Sequence, residues 1–148
     1  MYQKLDNIAI ALDGLQKAGG NGKQRAIKTV TFANTAVDEV LFVVTGTVIV
    51  RLIAVCKTNV ASAGGCNIGV DCGAAAMIAD TDCTLLAAGE IWHDATPDAV
   101  AELITVMKEY VICGTNIVLD VETAKQVDSG VIDFYCVYAP LSADGSVA

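Results

Sequence analysis

From about residue 28 onward the chain alternates apolar and polar positions with a period of two. In "TGTVIVRLIAVCKT" (45–58), Val48, Val50, Leu52 and Ala54 alternate with Thr47, Ile49, Arg51 and Ile53. One set is wholly apolar and the other mixed, as a strand with one face in a core requires. "GVIDFYCVYAPL" (130–141) alternates the same way, with Ile132, Phe134, Cys136 and Tyr138 on one face. "KTVTF" (28–32) and "NIVLDVET" (116–123) are further β-branched runs. "CNIGVDC" (66–72), "AAMIAD" (75–80) and "CTLLAAGEIWHD" (83–94) read as short strands separated by Gly, Asp and Thr. Gly46 interrupts a long β-branched run and predicts a bulge or bend there, and "NVASAGG" (59–65) predicts a turn. Many short strands with regular turn signals predict an all-β domain, a β-sandwich or jelly roll.

Two stretches break this rhythm. Leu5, Ile8, Leu12 and Leu15 follow i, i+3, i+7, i+10, which predicts a short helix with one apolar face. "AGGNGKQ" (18–24) then ends it. The chain therefore divides into a helix or arm with a flexible joint over 1–25 and a β-sandwich domain over 26–148. Residues 97–108 point both ways. Thr96-Pro97 looks like a cap and first helical residue, and Val100, Leu103, Ile104 and Met107 have helical spacing. "LITVMKEYVIC" (103–113) is nevertheless rich in β-branched residues, and the balance favours strand over 103–112.

Composition sharpens the picture. The 148 residues suit one domain, and no repeat of 20–50 residues is visible. The chain is 54% hydrophobic and 18% charged, against about 25% charged in ordinary soluble domains. A membrane span does not account for this. The most apolar block, "VLFVVTGTVIV" (40–50), lies between Glu39 and Arg51, and a helical span needs about 20 apolar residues. The opening residues, with acids inside their apolar part, do not read as a signal peptide. Apolar surface left on such a body is expected to be covered by copies of itself or by a larger assembly.

The net charge of −8 is unevenly spread. Residues 1–30 carry five basic residues against two acids, and the rest four against fifteen. Such a body repels nucleic acid. The basic opening reads either as an arm for an acidic protein surface or as a solvated segment.

Six cysteines (Cys56, Cys66, Cys72, Cys83, Cys113, Cys136) form no C-x-x-C, so the usual zinc pattern is absent. Several lie in apolar strand-like runs, where a thiol acts as a small buried hydrophobe. They are expected to be reduced and structural, with a Cys66–Cys72 pair across a hairpin as the alternative. No phosphate loop, nucleophile elbow or H-E-x-x-H motif occurs.

One cluster invites a chemical reading. "EIWHDATPD" (90–98) holds the only Trp (Trp92) and the only His (His93), with Glu90, Asp94, Asp98 and, just beyond, Glu102. One His with carboxylates is a thin set for a transition metal. Calcium on Glu90, Asp94 and Asp98 lacks a known loop spacing, and His93 as an acid or base needs a pocket. The plain alternative is a strand end: Ile91 packs inward, Trp92 anchors an edge or interface, His93 and Asp94 are solvated, and Thr96-Pro97 turns the chain. No catalytic, cofactor-binding or metal-ligating residue is assigned, and no cofactor is expected.

"TGTVIVRLIAVCKTNV", "AAGEIWHDATPDA", "KEYVI" and "GVIDFYCVYAPLSADGSV" together resemble a group of small proteins of tailed phages and prophages, encoded among virion structural genes near that of the major capsid protein. The resemblance covers roughly residues 28–148. It implies a virion component, a structural protein rather than an enzyme, made in the bacterial host cytoplasm. It carries no functional residues over, and the cysteines depart from the group. The expectation is a capsid decoration (cement) protein on the head surface. It would form a homo-oligomer, a trimer by preference, bound to the major capsid protein, with its N-terminal arm on a neighbouring subunit and no sequence-specific nucleic acid or membrane partner. The alternative is a lower-copy head–tail connector, tail or fibre-base component.

Overall fold

A computed structural model describes residues 23–148. The expected helix and joint lie almost wholly outside the described residues, and the first strand begins at Gln24, two residues before the expected boundary. No described helix is long and apolar enough to cross a membrane.

The chain folds as eleven β-strands: β1 (Gln24–Thr35), β2 (Glu39–Phe42), β3 (Val44–Thr45), β4 (Thr47–Ala61), β5 (Asn67–Cys72), β6 (Ala75–Asp82), β7 (Ile91–Trp92), β8 (Glu109–Cys113), β9 (Ile117–Val121), β10 (Val127–Pro140) and β11 (Ser146–Val147). All pairings are antiparallel. The first sheet runs β1-β10-β4, with β7 and β8 both on the far edge of β4. The second runs β2-β9-β5-β6, and β3 pairs with β11 in a short ribbon. The expected all-β architecture is observed.

The alternation read along β4 and β10 is what the fold uses. Val48, Val50, Leu52 and Ala54 are buried, as are Ile132, Phe134, Cys136 and Tyr138. They share one core with Leu41, Phe42, Ile68, Val70, Ile117 and Leu119 of the second sheet, so the two sheets form a sandwich. Gly46 makes the expected bend, with a left-handed φ of 63° between β3 and β4. Gly130 (φ 127°) opens the irregular end of β10, where a Cβ would lie 2.7 Å from the Val60 Cα. That contact lets β10 and β4 stay paired while their register shifts.

Three local expectations are corrected. The strand expected over 103–112 begins only at Glu109. Residues 104–106 form a 3-10 turn instead, closed by Val106 N–H to the Leu103 carbonyl at 3.1 Å and Met107 N–H to that of Ile104 at 3.2 Å. The pairing explains this. Trp92 lies opposite Ala54, and Glu109 lies opposite Arg51. Strands β7 and β8 are thus two parts of one line along the edge of β4, and residues 93–108 are an excursion inserted between them. Only Leu52 and Ile53 of β4 are left unpaired there, so the β-branched residues 103–106 have no ladder to join. "CTLLAAGEIWHD" likewise is mostly not strand: Cys83–Leu85 is a second 3-10 turn, and only Ile91–Trp92 pairs. "NVASAGG" turns later than expected, because β4 continues to Ala61.

Outside the core, the two sheets present unlike surfaces. The outer face of the first carries Ile49, Ile53 and Val55 from β4 and Val131, Tyr135 and Val137 from β10, all half-buried. Ile27 of β1 (53% exposed) and Val111 of β8 (68%) lie on it too, and Arg25, Arg51, Lys57, Glu109 and Asp133 stand among them. The register sets Ile27, Tyr135 and Ile53 in one row and Ile49 beside Val111. The outer face of the second sheet is acidic.

Candidate functional site

The stretch 90–98 is built around Trp92. Because Ala54 faces the core, its partner Trp92 does too. The indole is 1% exposed and meets Phe134 edge-on at 6.3 Å. Its Nε1–H donates to the Thr81 hydroxyl at 2.9 Å. That hydroxyl donates to the Ala79 carbonyl at 2.7 Å, with the Asp94 carbonyl also within 3.2 Å. This corrects the expected arrangement, in which Ile91 packs inward and Trp92 anchors an edge or interface. Ile91 lies on the outer side beside Val55, and Trp92 is core.

The acids around it are not gathered. Glu90 turns back, its carboxylate accepting the Ala87 N–H at 2.8 Å and its carbonyl the Cys56 N–H at 2.9 Å. Asp94 caps its own turn, accepting the Thr96 N–H at 2.8 Å and hydroxyl at 3.0 Å. The Thr96 N–H, helped by its hydroxyl and by His93, holds the Asp94 carboxyl below the ordinary value against a smaller desolvation. Asp98 is exposed, and Pro97 is buried under the turn. Among the described residues no three His, Cys, Asp or Glu side chains come close enough to hold a metal ion.

His93 sits between two carboxylates, Nδ1 at 3.5 Å from Asp94 and Nε2 at 3.6 Å from Glu102. Both distances exceed a good hydrogen bond, so the imidazole is held only loosely between the two carboxylates. It fastens the start of the excursion to its middle. His93 also borders an open cleft of about 360 Å³ at the gap between β7 and β8, with Leu52, Met77, Asp94, Lys108 and Tyr110 on its walls. The Tyr110 hydroxyl donates to the Ala76 carbonyl at 3.2 Å. Among the described residues no cysteine, serine or threonine borders the cleft.

All six cysteines are free. Cys66 and Cys72 bracket the single strand β5, and Cys72 lies opposite Ala75. They do not face each other across a hairpin, and the alternative disulfide is corrected on that ground. Burial pushes the Cys136 thiol up to about 12. Burial, then Cys66 and Asp82, pushes Cys83 up to about 11. Neither is a nucleophile at neutral pH.

The densest charge in the body lies elsewhere, on the outer face of the second sheet. Asp71 of β5, Asp80 of β6 and Asp120 of β9 converge there with Asp38, from the turn before β2. Gly69, opposite Asp120, leaves room for the Asp80 carboxylate, which a Cβ at that position would meet at 2.6 Å. Desolvation raises the Asp71 carboxyl, followed by Asp80 and Asp38. Desolvation also raises Asp120, followed by Asp38, Asp71 and Asp80. The sequence reading missed this cluster. Its successive members are 9 to 40 residues apart along the chain, and only strand pairing brings them together. The available signal was that Asp71 and Asp120 occupy outward positions in their alternating runs.

Comparison with known proteins adds little. No known family matches the chain, and no curated protein does. A solved structure reported as "Bacillus endospore appendages form a novel family of disulfide-linked pili" is weakly similar, at 11% identity and a TM-score of 0.35, over 81% of this chain and 88% of that one. A likeness of that size carries no argument about function.

Proposed function

We propose that this protein is a structural subunit whose work is assembly rather than catalysis. The observation that carries the reading is the apolar outer face of the first sheet. A sandwich needs only its inner faces apolar, yet here the outer face of one sheet also carries many apolar side chains among its charges. Fully burying one Val or Ile is worth about 1.5–3 kcal/mol, so covering even part of this face yields several kcal/mol of association. Several charges on the face are paired within it, while Arg25 lies on the same face opposite Val137. Arg51 meets Glu109 at 3.3 Å, Lys57 meets Asp133 at 4.0 Å, and Thr29 donates to Asp133 at 2.7 Å. The acidic second sheet then faces solvent, where like charge keeps assembled particles apart.

The finer reading follows the sequence resemblance: a virion protein of a tailed phage, decorating and stabilising the expanded head as a homo-oligomer, a trimer by preference, seated on the major capsid protein. Native mass spectrometry of the purified chain tests assembly, and a monomer at high concentration refutes it. Quantitative mass spectrometry of purified particles tests the place. A copy number equal to, or a simple fraction of, that of the major capsid protein supports decoration. A few copies move the protein to the connector or tail, and absence removes it from the virion.

A further inference from the structure

Two of the six free thiols stand together, and the pairing of β5 with β6 is what brings them there. Asn67 lies opposite Asp82 and Ile68 opposite Thr81. One step beyond the paired residues the same register sets Cys66 against Cys83, and the Cys83 N–H donates to the Cys66 carbonyl at 3.0 Å. Side chains alternate along a strand, so this pair points the way Ile68 and Thr81 do, into the core. Both thiols are buried, Cys66 at 2% exposure and Cys83 at 0%, within one apolar cluster.

Residues directly opposite in an antiparallel pair hold their Cβ atoms about 4.5–5.5 Å apart. A disulfide needs about 3.5–4.5 Å between Cβ atoms and accepts about 4.4–6.8 Å between Cα atoms. The pair thus stands within about an ångström of bonding distance. The ladder ends here, with a turn over 63–64 before Cys66 and the 3-10 turn Cys83–Leu85 on the other side. Drawing the two together therefore disturbs no pair beyond them. The other thiols are placed differently. Cys56 lies opposite Ile132, Cys72 opposite Ala75, Cys113 opposite Thr47 and Cys136 opposite Leu52.

We infer that Cys66 and Cys83 form a dithiol–disulfide couple, free in reducing surroundings and bonded to each other in oxidising ones. The oxidant is a small-molecule disulfide. The thiolate of one cysteine attacks a sulfur of that molecule, giving a mixed disulfide and one small thiolate. The thiolate of the other cysteine attacks the protein sulfur of the mixed disulfide. That closes the Cys66–Cys83 bond and expels the second small thiolate. The two cysteine protons end on the two small thiols, and two electrons pass from the cysteines to the oxidant. Burial raises both thiols, so exchange is slow in the closed body and faster while the hairpin is forming.

The bond fastens a particular place. Strand β6 is the outer strand of the second sheet and is paired with β5 alone among the described strands. Thr81, two residues before Cys83, accepts the Trp92 indole N–H. A bond at Cys83 pins this edge strand at the end that carries that contact. It also closes a loop in the unfolded chain, which adds stability.

The test uses the full chain, unfolded and then refolded in reduced or in oxidised glutathione. Remaining thiols are trapped with iodoacetamide in denaturant, and unreduced peptides are mapped by mass spectrometry. The expected product in oxidised glutathione is a Cys66–Cys83 linkage, with no bond among the other four cysteines and a native circular dichroism spectrum. Its Tm is expected to lie on the order of 10 °C above that of the reduced protein. Absence of the linkage, or a Cys56–Cys83 or Cys66–Cys72 bond in its place, overturns the inference.

Variants attribute the shift. Each is compared with itself in the two buffers, so its own loss of stability does not enter. Cys66→Ala and Cys83→Ala are each expected to lose the oxidative rise in Tm, and Cys113→Ala to keep it. Where one of the two core variants does not fold, the other carries the test. A rise that survives either core substitution, or one that Cys113→Ala removes, overturns the couple.

Discussion

At the scale of single residues, the one Trp of the chain is a core residue and the one His lies between two carboxylates. The Thr81 hydroxyl is the hub under Trp92, and Thr81→Val leaves the buried indole N–H without an acceptor. That is expected to cost about 1–3 kcal/mol, read as a lower urea midpoint at unchanged slope. Gly130→Ala meets two obstacles, a φ of 127° and the backbone of Val60 at 2.7 Å. It is expected to cost on the order of 1–3 kcal/mol or to shift the register of β10, which equilibrium unfolding measures. The thiols should separate by burial. With iodoacetamide at pH 8, the exposed Cys113 is expected to react first, and Cys136 and Cys83 only on unfolding, as peptide mapping over time would show. Equal labelling of all six in the native protein would contradict the buried placements.

At the scale of elements, the acidic face of the second sheet has a defined pH signature. The carboxyls of Asp71 and Asp120 are raised in the folded chain, so the folded state binds protons more readily there than the unfolded one. Their contribution therefore destabilises at neutral pH. It is relieved as pH falls through the raised values and is fully relieved below the ordinary carboxylate value of 3.8. Asp82, Asp94 and Asp128 act oppositely. Their carboxyls are lowered, first of all by the Thr84 hydroxyl, the Thr96 N–H and the Ala63 N–H respectively, so the stability they add is lost as pH falls below 3.8. Thermal stability is thus expected to rise on mild acidification from pH 7 and fall at strong acid. Asp120→Asn should raise Tm at pH 7 and flatten the rise. If the variant melts lower than wild type at pH 7, the carboxylates are not repelling one another.

At the scale of the whole molecule, the two faces make different demands. An assembly held mainly by apolar area should not come apart in salt. At about 1 M NaCl, where the screening length shrinks to ~3 Å, the oligomer is expected to persist in sedimentation velocity. Ile53→Lys should dissolve it at any ionic strength. Dissociation of the wild type by salt alone would mean that charge, and not apolar area, holds the copies together.

Much of this body is legible along the chain. Strands β4 and β10 announce themselves because a strand's side chains alternate, and a core accepts only one of the two sets. Val48 to Ala54 and Ile132 to Tyr138 can be assigned inward without knowing any partner. The same period also displays the outer set as a mixed one, with Ile49, Ile53, Val131 and Val137 among Arg51, Lys57 and Asp133. Pairing settles the rest, since it is a relation between distant segments that local pattern does not contain. Whether Ile91 or Trp92 enters the core depends on Ala54 across the ladder. Residues 103–108 keep β-branched side chains but find no free edge, because β7 and β8 already occupy β4. Asp38, Asp71, Asp80 and Asp120 become one charged face only when β5, β6 and β9 lie side by side. Propensity and periodicity act over a few residues and are written in the sequence. Register and adjacency come from closing long loops onto one core, and they exist only in the folded chain.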